Sequence, residues 1–236
     1  RSRGLGDVYK RQLLDGIYIE EHVILIAIGV DESGKKHVLG LWEGATENHR
    51  VAVSLLNDLV NRGLDPQRST LFVIDGSGAL RKAIRKVFGD RGIIQRCQVH
   101  KRKNVLDHLP KEMHPSVGKA LRDAYTSASY ASAKRRLEVL AKQLESEHPG
   151  ATKSLREGLD QTLTVKRMKL PKSLERTLST TNMIENVNGG VRDVTRRVKR
   201  WRGGSMILRW VAAAVLDRGK TFRRLRGHKG MSTLVA

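Results

Sequence analysis

The sequence predicts an α/β fold: a mixed sheet laid down in the order βββ-α-β-α-β, followed by an all-helical insertion and a C-terminal pair of helices. Three observations predict it. Runs of β-branched and apolar residues of strand length all fall before position 96. Two amphipathic stretches alternate with the last of these runs. From 101 to 179 the chain is polar and rich in Ala, Leu, Lys and Arg, with Pro110, Pro115, Pro149 and Pro171 as punctuation.

Each element has its own signal. Asp15 opens the first strand, whose apolar part is Gly16-Ile-Tyr-Ile. The run 22–30 is the second, and Asp31-Glu-Ser-Gly is a turn. His37-Val-Leu-Gly-Leu-Trp is the third, and short links make the three an antiparallel meander. A helix is expected over 47–62, with Val51, Leu55, Leu56 and Leu59 on one face and Gly63 past its end. Thr70-Leu-Phe-Val-Ile is the fourth strand, ending at Asp75-Gly76. Positions 80–88 form a second helix, and Gly92-Ile-Ile-Gln a short fifth strand. A final helix is expected from Asn182 past Val198, with Ile184, Val187, Val191, Val194 and Val198 as its apolar stripe. Another is expected over 206–216, and a basic tail follows from Thr221.

This order is that of a ribonuclease-H-like sheet, which divides the chain into a leader (1–12), a first core part (13–104), a helical insertion (105–179), a second core part (180–220) and a basic tail (221–236). The chain starts at Arg1 rather than Met, and 1–12 read as a leader unrelated to the fold. The single cysteine, Cys97, allows no intrachain disulfide and fits a reducing compartment. No apolar run reaches the length of a membrane span, so a cytoplasmic protein is expected, with no membrane partner. The net charge of +21 on 236 residues points to a phosphate polymer, because each phosphate neutralised releases counterions.

In a sheet of this order the first and fourth strands are neighbours, which brings Asp15 and Asp75 toward one another at strand ends, where catalytic groups commonly sit. Close carboxylates repel unless a cation intervenes. Two Mg²⁺ (or Mn²⁺) ions about 3.5–4 Å apart would remove the repulsion and serve an in-line phosphoryl displacement. Asp15-Gly16 and Asp75-Gly76 are also ordinary turn dipeptides, and Glu185 stands at capping-box spacing from Asn182.

Several stretches together resemble the mutator-type transposases of bacterial insertion sequences: Gly29-Val-Asp-Glu-Ser-Gly-Lys-Lys-His-Val-Leu-Gly-Leu, Asp75-Gly-Ser-Gly-Ala-Leu-Arg-Lys-Ala-Ile, Gln95-Arg-Cys-Gln-Val-His-Lys-Arg-Lys-Asn, Thr180-Thr-Asn-Met-Ile-Glu-Asn-Val-Asn and Val198-Lys-Arg-Trp-Arg-Gly-Gly-Ser-Met-Ile-Leu-Arg-Trp. The resemblance runs from Leu13 to the C-terminus. It implies a ribonuclease-H-like catalytic domain with an aspartate–aspartate–glutamate triad, mapped by motif to Asp15, Asp75 and Glu185, all three being metal ligands. It implies a helical insertion in the long interval before the glutamate, action on insertion-sequence ends and target DNA, a homodimer or higher oligomer, and a place beside the bacterial nucleoid. It also implies an N-terminal DNA-binding region in full members, and because the sequence begins almost at the first aspartate that region is expected to be absent here.

The resemblance includes a Cys-x-x-His motif, here Cys97 and His100. Alone it is half a zinc site with no visible partner pair. The expected role is beside the active site, with His100 touching DNA or steering the chemistry; a buried thiol and a helix-start histidine would look the same. On the last helix Arg192, Arg196 and Lys199 share a face with Glu185 and suit a DNA track. Lys101, Arg102 and Lys103 are further phosphate-contact candidates. Trp201 is a candidate for stacking on bases, whereas Trp210, in an apolar stretch, is expected in the core. Gly189-Gly190 interrupts the glutamate helix, to bend it or to let a DNA backbone come close. Two other functions fit the same residues: a ribonuclease-H-like nuclease that cuts without joining, and an inactive basic DNA-binding fragment.

Overall fold

The computed structural model describes residues 11–19, 21–44 and 49–234. Strands β1 (Arg11–Ile19), β2 (His22–Val30) and β3 (Lys36–Gly44) come first, then helix α1 (His49–Asn61), β4 (Thr70–Ile74), α2 (Gly78–Phe88) and β5 (Gly92–Arg96). They form one five-stranded sheet of order β3-β2-β1-β4-β5. β1 runs antiparallel to β2, and β2 to β3, while β1, β4 and β5 are parallel. The α/β class and the expected order of these elements both hold.

The sheet is covered on both faces because alternate residues of the inner strands are apolar on both sides. On one face Leu14, Leu25, Phe72 and Ile74 pack against Leu55, Leu56 and Leu59 of α1 and Leu80, Ile84 and Phe88 of α2. The Phe72 and Phe88 rings lie 4.9 Å apart, tilted, as aromatic pairs prefer. On the other face Leu13, Ile17, Ile24, Ile26 and Ile28 pack against α10 (Asn182–Thr195) and α11 (Gly204–Lys220) through Ile184, Val187, Val191, Ile207 and Val211.

The helical stretch is built from α3 (Gln98–Leu106), α4 (His114–Tyr125), α5 (Tyr130–Leu144), α6 (Pro149–Arg156), α7 (Leu159–Thr162), α8 (Thr164–Arg167) and α9 (Lys172–Leu178). Pro115 and Pro149 stand in the first turns of α4 and α6, where a missing N–H costs nothing. Its separate core runs from Val105 to Leu163. Val165, Leu174 and Leu178 join the main core instead, so 164–179 packs with the sheet rather than with the insertion.

Several expectations are corrected. Arg11 and Gln12, assigned to the leader, belong to β1, pairing with Val30 and Gly29 on one side and with Leu71 and Phe72 on the other. Strand pairing uses backbone groups, which a polar side chain does not forbid. Gln12 is fully buried, and neither of its amide atoms has a hydrogen-bond partner. Asp15 is therefore mid-strand, not the opening residue. Residues 1–10 lie outside the described residues, as do positions 47 and 48 of the expected first helix.

The helix that carries Glu185 ends at Thr195, not past Val198. The apolar stripe turns with it: Val194 is exposed, and Thr195 takes the buried place, its hydroxyl donating back to the Val191 carbonyl at 3.0 Å. Lys199 lies beyond the helix and no longer shares a face with Glu185. The helix runs unbroken through Gly189 and Gly190. A Cβ on Gly189 would meet nothing, whereas one on Gly190 would meet the Arg218 side chain of α11. What the missing side chain of Gly190 admits is therefore the neighbouring helix.

Lys101 is not a phosphate contact. It is 1% exposed, and its Nζ donates to the carbonyls of Ser154 and, at 2.7 Å, Glu157. A helix leaves its last carbonyls unpaired, and at the end of α6 a lysine from α3 fills that need, with Arg96 Nη1 donating to the Glu157 carbonyl at 2.8 Å. Burial, with the like charge of Arg96 second, holds the Lys101 ammonium down at about 8. The tryptophans exchange their expected settings. Trp201 packs partly against the main core with its ring 6.5 Å from that of Trp210, edge to face, and Trp210 is 41% exposed.

Gln95 ties the insertion to the sheet. Its Nε2 donates to the carbonyls of Arg96 (2.7 Å) and Thr162 (2.9 Å), and its Oε1 accepts from the Val165 amide (2.9 Å), all in a fully buried setting. Gln95→Leu keeps the volume and orphans the Val165 N–H. A stability loss of about 2–3 kcal/mol is expected in a urea titration; an unchanged midpoint would mean that water replaces these bonds.

Candidate active site

Parallel pairing of β1 with β4 ends at Leu14 opposite Ile74. The next residues are Asp15 and Asp75, so the two carboxylates leave neighbouring strands side by side, with a strand spacing of about 4.8 Å between their backbones. Asp15 is 9% exposed, on the sheet face that α10 covers. Its Oδ1 accepts from the Gly16 amide at 3.0 Å, and its Oδ2 from Asn188 Nδ2 at 2.9 Å. Asp75 is half-buried, and its Oδ1 accepts from the Ser77 amide at 2.8 Å in an Asx turn. Gly76 makes that turn at φ 121°, with the Arg96 guanidinium where a Cβ would stand.

The turn from β5 into α3 is docked on the end of β4: the Cys97 amide donates to the Ile74 carbonyl at 2.8 Å. The Gln98 amide donates to the Ser179 carbonyl at 2.9 Å, bringing the start of α10 alongside. There the Thr181 amide lies 3.4 Å from Cys97 Sγ. The Thr181 hydroxyl donates to Glu185 Oε1 at 2.7 Å and sits 3.3 Å from His100 Nδ1. His100 Nδ1 is 3.5 Å from Glu185 Oε1. The residue before α10 is Thr181, not Asn182, and Asn182 is exposed in the first turn.

The charges act on one another. Burial first, and the Asp75 charge second, push the Asp15 carboxyl up to about 7; the Gly16 amide and His100 oppose the shift, and Glu185 adds to it. His100 is pushed up to about 9, chiefly by its hydrogen bond with Cys97, against burial, with Cys97, Glu185 and Asp75 adding their charges. Burial drives the Cys97 thiol up, but hydrogen bonds from His100 and Thr181 outweigh it and leave the thiol below its ordinary value.

Asp15, Asp75, Glu185, Cys97 and His100 are thus brought together. Arg192 is exposed farther along α10 and Arg196 is exposed just past its end, about 10 and 16 Å down the axis from Glu185 at 1.5 Å per residue. Arg102 is half-buried, and Lys103 and Lys199 are exposed. Lys101 and Trp201 are engaged in packing. Two residues escaped the sequence reading: Asn188, 2% exposed with its Oδ1 unpartnered, and Thr181, fully buried. Asn188 had a usable signal, since it lies three residues after Glu185 on the same side of the helix.

A basic α/β protein with acidic side chains gathered where its central parallel strands end is the class that fold and site define. Compared with known proteins, the chain matches the family described as "Transposase, Mutator family" over residues 1–224, and it belongs to that family. It is similar to a probable transposase for an insertion sequence element of Corynebacterium diphtheriae, 30% identical over 80% of this chain and 54% of that protein. The transposase for IST2 of Acidithiobacillus ferrooxidans is 30% identical over 75% of this chain and 58% of its own length. That for ISRM5 of Rhizobium meliloti is 28% identical over 99% and 59%. The chain spans between half and three-fifths of the length of these relatives.

Proposed function

We propose that the chain is the catalytic core of an insertion-sequence transposase, of ribonuclease-H-like fold, which cleaves and joins DNA strands by metal-dependent phosphoryl transfer. The observation that carries this reading is the placing of Asp15 beside Asp75 where the parallel pairing of β1 with β4 stops, with Glu185 near enough to shift the Asp15 carboxyl. The sheet order, three antiparallel strands followed by two parallel ones, supports the fold.

The donor set fits a pair of Mg²⁺ or Mn²⁺ ions. A buried carboxyl that clings to its proton beside two further carboxylates is what a cation-binding cluster looks like without its charge balance. Asp15 and Asp75 would hold both ions and Glu185 would complete the second position. When bound, such ions activate water or a 3′-hydroxyl and stabilise the leaving oxygen. The chain's own residues prepare for this. Asn188 and the Gly16 amide aim Asp15, the Ser77 amide aims Asp75, and Thr181 aims Glu185. His100, cationic at neutral pH, supplies positive charge at the edge of the carboxylates and near where a phosphate would lie.

The partner is DNA, the insertion-sequence ends and their target. The +21 charge supports it, as do the exposed Arg192, Arg196 and Lys199 and the half-buried Arg102. Action as a dimer or higher oligomer in the bacterial cytoplasm is part of the proposal. Among the described residues no helix is long and apolar enough to cross a membrane. The test is calorimetric titration with Mn²⁺, with and without DNA carrying the element's ends, comparing the parent with Asp75→Asn. Binding that the variant loses is expected. Equal binding by both, or none by the parent even with DNA, would overturn the reading.

A further inference from the structure

Cys97, His100 and Glu185 each offer a ligand atom, and these three atoms lie within 4.8 Å of one another. The reaction above uses only the third of them as a ligand. His100 Nδ1 and Glu185 Oε1 stand 3.5 Å apart. Nitrogen and oxygen atoms bound to one tetrahedral ion at about 2.0–2.1 Å stand roughly 3.3 Å from each other, so this pair is already near the separation that a shared ion imposes. The Thr181 amide, 3.4 Å from Cys97 Sγ, holds the sulfur toward the same side.

We propose that Cys97, His100 and Glu185 form a second cation site, taking one divalent ion of the zinc class, with its fourth position open to water. The donor chemistry separates it from the carboxylate pair: thiolate and imidazole select borderline-soft ions, and carboxylates with water select Mg²⁺ or Mn²⁺. The backbone is set for it. Cys97 and His100 are three residues apart at the start of α3 and project from one side of it. Glu185 projects from the first turn of α10, and the Gln98–Ser179 backbone bond holds the start of α10 against α3. Cys97 is buried, but His100 and Glu185 have side chains 33% and 38% exposed and give the ion a way in. The Thr181 hydroxyl, now between His100 and Glu185, would swing to the free carboxylate oxygen of Glu185 and orient it from outside, as outer-shell partners do.

Because Glu185 serves both sites, an ion here withdraws it from Asp15 and Asp75. This consequence rests on the proposed function: zinc should inhibit cleavage supported by Mg²⁺, and excess Mg²⁺ should not relieve it. The binding itself does not rest on that reading.

The test is titration of the purified chain with Co²⁺, followed by absorption. One equivalent is expected to produce a thiolate-to-cobalt charge-transfer band and the intense visible bands of a tetrahedral ion, and Zn²⁺ should displace it. Glu185→Gln and His100→Ala, both at half-exposed positions, should each weaken binding more than about a hundredfold, beyond the loss of an outer-shell partner. Asp75→Asn should leave cobalt binding unchanged while removing Mn²⁺ binding, so failure of the carboxylate site and failure of this one read out separately. No charge-transfer band at saturating Co²⁺ would overturn the proposal. So would a band whose affinity is unchanged in Glu185→Gln and His100→Ala, which is the behaviour of a thiol binding cobalt alone.

Discussion

Asp75→Asn is expected to lower metal-dependent nicking of supercoiled DNA, and joining of pre-cut element ends, by about a thousandfold or more. That is the upper end of what removing one electrostatic stabiliser of a transition state costs, and here a ligand charge is lost as well. The substitution is structurally mild. Asp75 is half-buried, its Oδ1 accepts one bond from the Ser77 amide, and an asparagine oxygen can accept the same bond. DNA binding should survive, because the basic side chains of α10 are untouched, and its salt dependence should be that of the parent. A variant that cuts at the parental rate would remove Asp75 from the chemistry. One that binds DNA but joins nothing, while the parent both cuts and joins, would tie Asp75 to both steps. A parent that cuts without joining would be a nuclease.

Asp15→Asn is expected to make the fold more stable, and only above acid pH. The Asp15 carboxyl titrates near 7 in the folded chain against an ordinary value of 3.8. Between those values the folded state holds a proton that the unfolded chain has released, so stability falls as pH rises through that window. The asparagine has no such slope. Parent and variant should melt together near pH 4 and diverge toward pH 7.5. The gap there should be about 4 kcal/mol, at 1.36 kcal/mol per pKa unit, less whatever the Gly16 hydrogen bond contributed. Millimolar Mn²⁺ should raise the parent's melting temperature and leave the variant's alone. Thermal unfolding at the two pH values checks this. If the parent were the more stable at pH 7.5, His100 and the amide donors would be holding Asp15 ionised without help.

Much of the fold was legible because its signals are local. The β-branched runs of β2 and β4, the Gly63 stop after α1 and the prolines of the insertion act within a few residues of where they stand. The carboxylates were legible through the Asp75-Gly and Asn182-Met-Ile-Glu185 motifs, together with the strand order that makes β1 and β4 neighbours. What was missed depends on distant partners. Gln12 looks like leader sequence until β4 pairs with it. Lys101 looks like a DNA contact until α6 presents its open carbonyls. Trp210 looks buried until Trp201 takes the inner position. Cys97 and His100 looked like half a metal site because the third ligand, Glu185, lies on another helix. Asn188 reads as one more helix residue until Asp15 arrives under it. In each case the residue type is compatible with two settings, and tertiary packing chooses.

The hydrogen bond between Asn188 and Asp15 spans 173 positions of the chain. At 5–20 residues per second on the ribosome, roughly 9–35 s separate the synthesis of its two ends. During that interval the sheet from β1 to β5 can form, but Glu185, Thr181 and Asn188 do not yet exist to complete the acidic cluster. A chain released early, or cut before α10, would keep much of its basic surface without the means to cleave a strand. If the chain cuts DNA as proposed, cutting competence waits until α10 has been made, a safeguard that needs no inhibitor.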